Sequence, residues 1–246
     1  MSTGSEARVH ASRYFPWFDW LRFTLASTVM LGHFGLLRNL PNSGNFAVQV
    51  FFALSGFLIG GILLKLRRDD LPRFYFNRAI RIWVPYYLAL LFLVMASLLR
   101  HEPVTAKWLE FVAYKATFVY NLFGPPQLAT SVRAMPLAGT GNHFWSVNAE
   151  EQFYLLAPVL LVLASPWFGR RLLVWIPLAL VAWVTDVYAA IVFGVVAAML
   201  LQRYPGFHLS RVARAVLVAV IAFSWFANLH TAHYRLIAPW CGIAVV

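Results

Sequence analysis

Asp19, Arg22 and His33 bring groups able to do chemistry into the stretch PWFDWLRFTLASTVMLGHF, residues 16–34, which is otherwise apolar. An imidazole titrates near neutral pH and can take a proton from a hydroxyl. A guanidinium stays charged and offers a fixed fork of donors to phosphate or carboxylate. Arg22 and His33 stand eleven residues apart. Eleven helical steps return to within about 20° of the start, so the two share one face, about 16 Å apart along the axis. Asp19 precedes Arg22 by three residues, the spacing of an intrahelical ion pair. The pattern suits an anionic donor held at one end and a hydroxyl attacked nearer the other. It equally suits an interfacial anchor, with Asp19 and Arg22 reaching to headgroups and His33 closing the far end.

The elements that position these groups follow from composition. The chain has 246 residues, 61% hydrophobic and only 12% charged, where a soluble domain carries about 25% charged residues. No long polar segment exists to build a separate soluble unit. The prediction is a single all-α domain over 1–246, a polytopic transmembrane helical bundle. A span needs about 20 mostly apolar residues. The candidate spans are 16–37, 45–64, 79–99, 144–165, 172–184, 187–201 and 212–229, so roughly seven or more are expected. The run 108–123 is expected not to cross, because Lys115 sits in its middle. The first run is expected to be retained rather than cleaved. A last run begins at Leu236 and stops at Val246, which reads as a truncated or reduced chain.

With the N-terminus inside, thirteen of the 20 Lys and Arg residues fall on the inner side and six on the other, with Arg22 inside the first span. That bias obeys the positive-inside rule. It assigns the net charge of +11 to topology in a cytoplasmic membrane rather than to nucleic acid. Cys241 is the only cysteine, which excludes disulfides and cysteine-based metal sites. The remaining histidines, His10, His101, His143, His208, His230 and His233, lack metal-ligand spacing and read as loop residues. No metal or cofactor is expected.

Four motifs follow one another in order: FDWLRFTLASTVMLGHF (18–34), VQVFFALSGFLIGGIL (48–63), FYFNRAIRIWVPYY (74–87) and FWSVNAEEQFYLLAPVLL (144–161). Together they resemble the integral-membrane acyltransferase 3 family, and they lie within residues 16–161. The first matches that family's arginine, ten residues, histidine opening; the third carries its Arg-x-x-Arg pair at Arg78 and Arg81. The fourth differs at Asn148–Ala149, where the family commonly has Ser and Val. The resemblance implies a membrane enzyme moving an acyl group, often acetyl, from acyl-CoA to a hydroxyl of a carbohydrate or other extracytoplasmic acceptor. It points to His33 as the catalytic residue, either general base or acyl carrier.

Other roles are expected around it. Arg22 would orient the donor or a water network, with Asp19 holding Arg22. Arg78 and Arg81, three apart at the inner mouth of their span, suit the phosphates of coenzyme A, although any basic loop end satisfies the positive-inside rule. Glu150 either polarises His33 or binds the acceptor sugar, and with Glu151 it could instead cap a helix N-terminus at the interface. Ser55 lacks a Gly-x-Ser-x-Gly elbow, and Gly56, Gly60 and Gly61 read as helix packing. Expected partners are acyl-CoA, a carbohydrate or glycolipid acceptor and membrane lipid. The rival reading is a transporter or flippase, in which Arg, His and Glu line a substrate pathway.

Overall fold

The computed structural model describes residues 16–37, 40, 42–124, 131–185, 188–206, 210–231 and 239–240. The final apolar run from Leu236, Asp186, and the histidines His10, His208 and His233 lie outside the described residues or at their margin. Among the described residues every regular element is helical: α1 (Pro16–His33), α2 (Ser43–Leu63), α3 (Leu71–Leu99), α4 (Ala106–Ala116), α5 (Tyr120–Phe123), α6 (Phe144–Pro158), α7 (Leu172–Thr185), α8 (Ala189–Arg203) and α9 (Arg211–Thr231). Among the described residues, two stretches, Ser43–Leu63 and Arg68–Leu99, form helices long and apolar enough to cross a membrane.

Local chemistry sets several boundaries. Pro72 sits in the first turn of α3, where a missing N–H costs nothing. The Thr105 side chain accepts from the Trp108 amide at 3.2 Å and starts α4, as an N-cap should. The expected helix 144–165 does not run on regularly. Beyond Pro158 the backbone widens into π turns over Val159–Leu163 and Ser165–Gly169, because proline lacks the N–H that a regular turn needs at that point.

The core is a seam between α2 and α8, the most extensive helix pair in the bundle. A Cβ on Gly56 would lie 2.0 Å from the Ile191 carbonyl oxygen, and one on Gly194 would lie 2.1 Å from that of Ala53. The two backbones touch there, with Ala189, Ala190, Ala197 and Ala198 lining the rest of the α8 face. Lipid offers no hydrophobic drive between helices, so close approach at small residues is what holds them. α3 instead exposes Phe76, Ile80, Leu88, Leu91 and Phe92, and α7 exposes Leu173, Leu180 and Val184. Such faces suit lipid tails.

The two ends of the bundle differ. At one end the turn after α2 meets the turn before α7: Arg170 donates to the Leu63 and Leu66 carbonyls at 3.2 and 3.1 Å, and Arg68 to that of Leu163 at 2.9 Å. The basic residues 65–73 and 170–171 therefore cluster together. At the other end, α3 finishes and α4 begins. Ser97 donates to Glu102, and the Leu137 amide donates to the same carboxylate at 2.8 Å. Glu102 thus ties the chain before α4 to the chain before α6 at that end, and the Tyr86 hydroxyl donates to the Lys115 carbonyl at 2.8 Å.

The seam generates a test. Gly56→Ala should lower stability by at least about 2 kcal/mol, since backbone must move to admit the methyl. Gly61→Ala, whose Cβ would meet nothing within 4 Å, should leave the thermal midpoint of the purified protein unchanged.

Candidate active site

The seam also sets the depth of Ser55, the neighbour of Gly56. Its hydroxyl donates to Glu150 Oε1 at 2.7 Å, across from α2 to α6. The Tyr154 hydroxyl, one turn beyond Glu150, lies 3.3 Å from Glu150 Oε2 and 3.2 Å from the Ser55 oxygen, so its single proton is shared between them. Both carboxyl oxygens therefore have polar neighbours, as a carboxyl group buried in an apolar bundle requires. The Arg78 guanidinium lies 5.4 Å from the Tyr154 ring centroid and 5.8 Å from that of Phe74, geometry for cation–π attraction. Arg22 and Arg78 are both close enough to act electrostatically on Glu150.

Above this layer lies a cavity of about 830 Å³, lined by His33 from α1, Phe51 and Phe52 from α2, and His143, Ser146 and Glu150 from the α6 side. The His33 and His143 rings face each other with centroids 5.6 Å apart. The turn over the cavity is unusual: Leu137, Ala138 and Gly139 all take left-handed backbone angles, with φ of 50°, 49° and 82°. Two of these carry a Cβ, so the fold sustains a local cost of about 1–3 kcal/mol at each. The bend lays Ala138, Gly139 and Thr140 along the wall that delivers His143.

The expected residues are distributed as follows. His33 and Glu150 line one cavity. Arg22 lies deeper, near Arg78 and Glu150. Asp19 stands 3.9 Å from Arg22, in a pair that is half-exposed, a geometry of little energetic weight. Arg78 and Arg81 do not point two forks the same way: Arg78 turns inward over Tyr154, while Arg81 is exposed. A spacing of three places two Cα atoms on one face, but long side chains diverge when one finds an aromatic partner. Glu151 points away from Glu150 toward α3. Its Oε1 accepts from Trp83 Nε1 at 2.7 Å, and its Oε2 is the buried side-chain atom that has no partner among the described residues.

Sequence reasoning missed His143 and Lys115 as parts of the site. His143 is no bystander in a loop; its ring faces His33. The signal was present in the spacing: His143, Ser146, Val147 and Glu150 fall at i, i+3, i+4 and i+7, one helical face, and all line the cavity. Lys115 is fully buried. Its Nζ lies 4.1 Å from the Tyr120 ring centroid, and Tyr120 in turn donates to Asn142 at 2.6 Å. On α4, burial pulls the Lys115 ammonium down to about 8. His143, on the turn, is held below its ordinary value by burial, by His33 and by Lys115.

A family model described as an acyltransferase domain matches residues 15–246. Among curated proteins, the peptidoglycan O-acetyltransferase OatA of Listeria monocytogenes is 24% identical over 188 residues, 73% of this chain and 30% of that protein. The O-acetyltransferase OatA of Staphylococcus aureus is 28% identical over 169 residues, 67% of this chain and 27% of that protein. The putative peptidoglycan O-acetyltransferase YrhL of Bacillus subtilis is 30% identical over 168 residues, 61% of this chain and 24% of that protein. The alignments thus span less than a third of the length of these relatives. No solved structure matches the chain.

Lys115 yields a stability test with a definite sign. Its folded-state value, about 8 against the ordinary 10.5, means that the unfolded chain binds more protons between those limits, so stability rises with pH there. The thermal midpoint of the parent should climb from pH 8 to 10 relative to that of Lys115→Met. At pH 7 the Met variant should melt no lower than the parent, because a buried charge is exchanged for an apolar group of similar volume.

Proposed function

The chain belongs to the acyltransferase-domain family, and on that premise we propose that it is a multi-pass membrane O-acetyltransferase. It takes an acetyl group from a thioester donor, coenzyme A being the expected carrier, and places it on a hydroxyl of a cell-wall carbohydrate. The observation that carries this reading is the cavity shared by His33 and Glu150, which lies above the cationic pair Arg22 and Arg78. The relatives are named as O-acetyltransferases, and those of Listeria and Bacillus as acting on peptidoglycan, which supports acetyl transfer to such an acceptor. The clustering of basic residues at the Arg170 end supports a cytoplasmic membrane protein whose His33 end faces outward. Seven or more spans belong to the same proposal.

In this reading the donor approaches from the basic end. Arg22 and Arg78 hold its anionic portion near Glu150 and Tyr154, while Arg81, one turn further along α3, is exposed. The thioester carbonyl then lies in the cavity beneath His33. His33 acts as general base, removing the acceptor hydroxyl's proton as that oxygen attacks the carbonyl carbon; the new C–O bond forms and the C–S bond breaks. Glu150, already engaged by Ser55 and Tyr154, fixes the polar floor against which the acceptor packs.

The test is direct. Purified protein in lipid nanodiscs, given acetyl-CoA and a soluble peptidoglycan fragment, should release free coenzyme A and form glycan O-acetyl ester in equal amounts. His33→Ala should lower that rate by about 10²–10⁴-fold, the usual worth of a general base. Glycan moved across a vesicle membrane with no ester formed would establish the transporter reading instead.

A further inference from the structure

His143 lies outside every role assigned so far, yet it shares the cavity with His33. The two rings come from different elements, the end of α1 and the turn before α6, and meet at a centroid distance of 5.6 Å with an interplanar angle of 54°. Both line the cavity, as do Ser146 and Glu150 further along the same face. A structural histidine needs no such partner, and three left-handed residues in the preceding turn are an expensive way to place one. Backbone strain of this kind collects where a side chain must be aimed.

We propose that His143 is a second catalytic imidazole, which receives the proton that His33 strips from the acceptor hydroxyl and delivers it to the departing thiolate. The inference rests on the acyltransferase reading above and divides the proton work within that site. One proton is followed throughout. It leaves the hydroxyl for His33 as the C–O bond forms, passes to His143, and ends on the donor sulfur as the C–S bond breaks. The products are an acetyl ester and a free thiol, and both rings return to the neutral form.

The surroundings of His143 suit a transient carrier. The Thr140 backbone lies close enough to the ring to favour its protonated form, and a neutral imidazole keeps one nitrogen that can accept. The charged and titratable groups that face it are His33 from α1, Lys115 from α4 and Glu150 from α6. His33 and Lys115 both oppose a positive charge on the ring, and so does burial. The ring therefore rests neutral and gives up a proton readily. Two imidazoles this close also resist holding two protons at once, which keeps the pair at a single proton during turnover.

The experiment varies the leaving group. Acetyl-CoA leaves as a basic thiolate that gains from protonation; 4-nitrophenyl acetate leaves as a stable anion that does not. With acetyl-CoA, His143→Gln should lower transfer to the peptidoglycan fragment by about 100-fold or more. With 4-nitrophenyl acetate it should stay within about threefold of the parent, because no acid is then needed. His33→Gln should fall with both donors. An equal loss with both donors, or no loss with either, would overturn the assignment.

A second readout does not depend on turnover. In protein carrying isotope-labelled histidine, the His143 resonance should titrate at higher pH once His33 is replaced by Gln, since the neighbouring charge that opposes its protonation has been removed. An unmoved midpoint would sink the pairing whatever the activity. A parent protein that transfers acetyl from neither donor would refute the acyltransferase reading itself, and the proton role with it, even with the rings coupled.

Discussion

Gly56 has no room for a single added carbon: the α2 and α8 backbones meet there and again at Gly194. This contact is the constraint from which the site follows. It fixes the height and rotation of α2, and therefore of Ser55, the next residue along. Ser55 in turn meets Glu150 on α6. A bundle in lipid cannot rely on water-driven collapse to set its register. Touching backbones set it instead, because carbonyl and Cα atoms cannot repack as side chains can.

The second consequence concerns charge. Glu150 is tolerable in an apolar bundle because both its oxygens have polar neighbours and two guanidinium groups lie within electrostatic reach. Such an arrangement commits every participant. Arg78 is drawn inward over Tyr154 rather than left beside Arg81, and α6 must present Glu150 and Tyr154 on one face. Glu151 is then turned to the opposite side, against Trp83 of α3. Adjacent carboxylates thus have unlike fates, since neighbouring residues on a helix lie about 100° apart.

The outer half of the site is built differently. It uses the segment from α4 to the turn at 136–143, tied at its root by Glu102 to Ser97 and Leu137. That segment buries Lys115 beneath the cavity and swings His143 over it. The cavity thus has a rigid floor, supplied by helices in backbone contact, and a wall that depends on a bent, strained turn.

Much of this was legible in the sequence, and the reason is periodicity. The helical class followed from apolar runs, and the common cavity face of His143, Ser146 and Glu150 was implicit in spacing alone. The Gly56 packing role was likewise readable from small residues in an apolar helix. These are local properties, set by rise, turn angle and the cost of charge in hydrocarbon. What the sequence could not determine is which residues from distant segments meet. The pairing of His33 with His143, of Ser55 with Glu150 and the parting of Arg78 from Arg81 each join positions tens to more than a hundred residues apart along the chain, or depend on rotamers chosen by such neighbours. Tertiary structure alone decided them, because a side chain's direction is settled by the partner it finds, and that partner is chosen by how the helices pack.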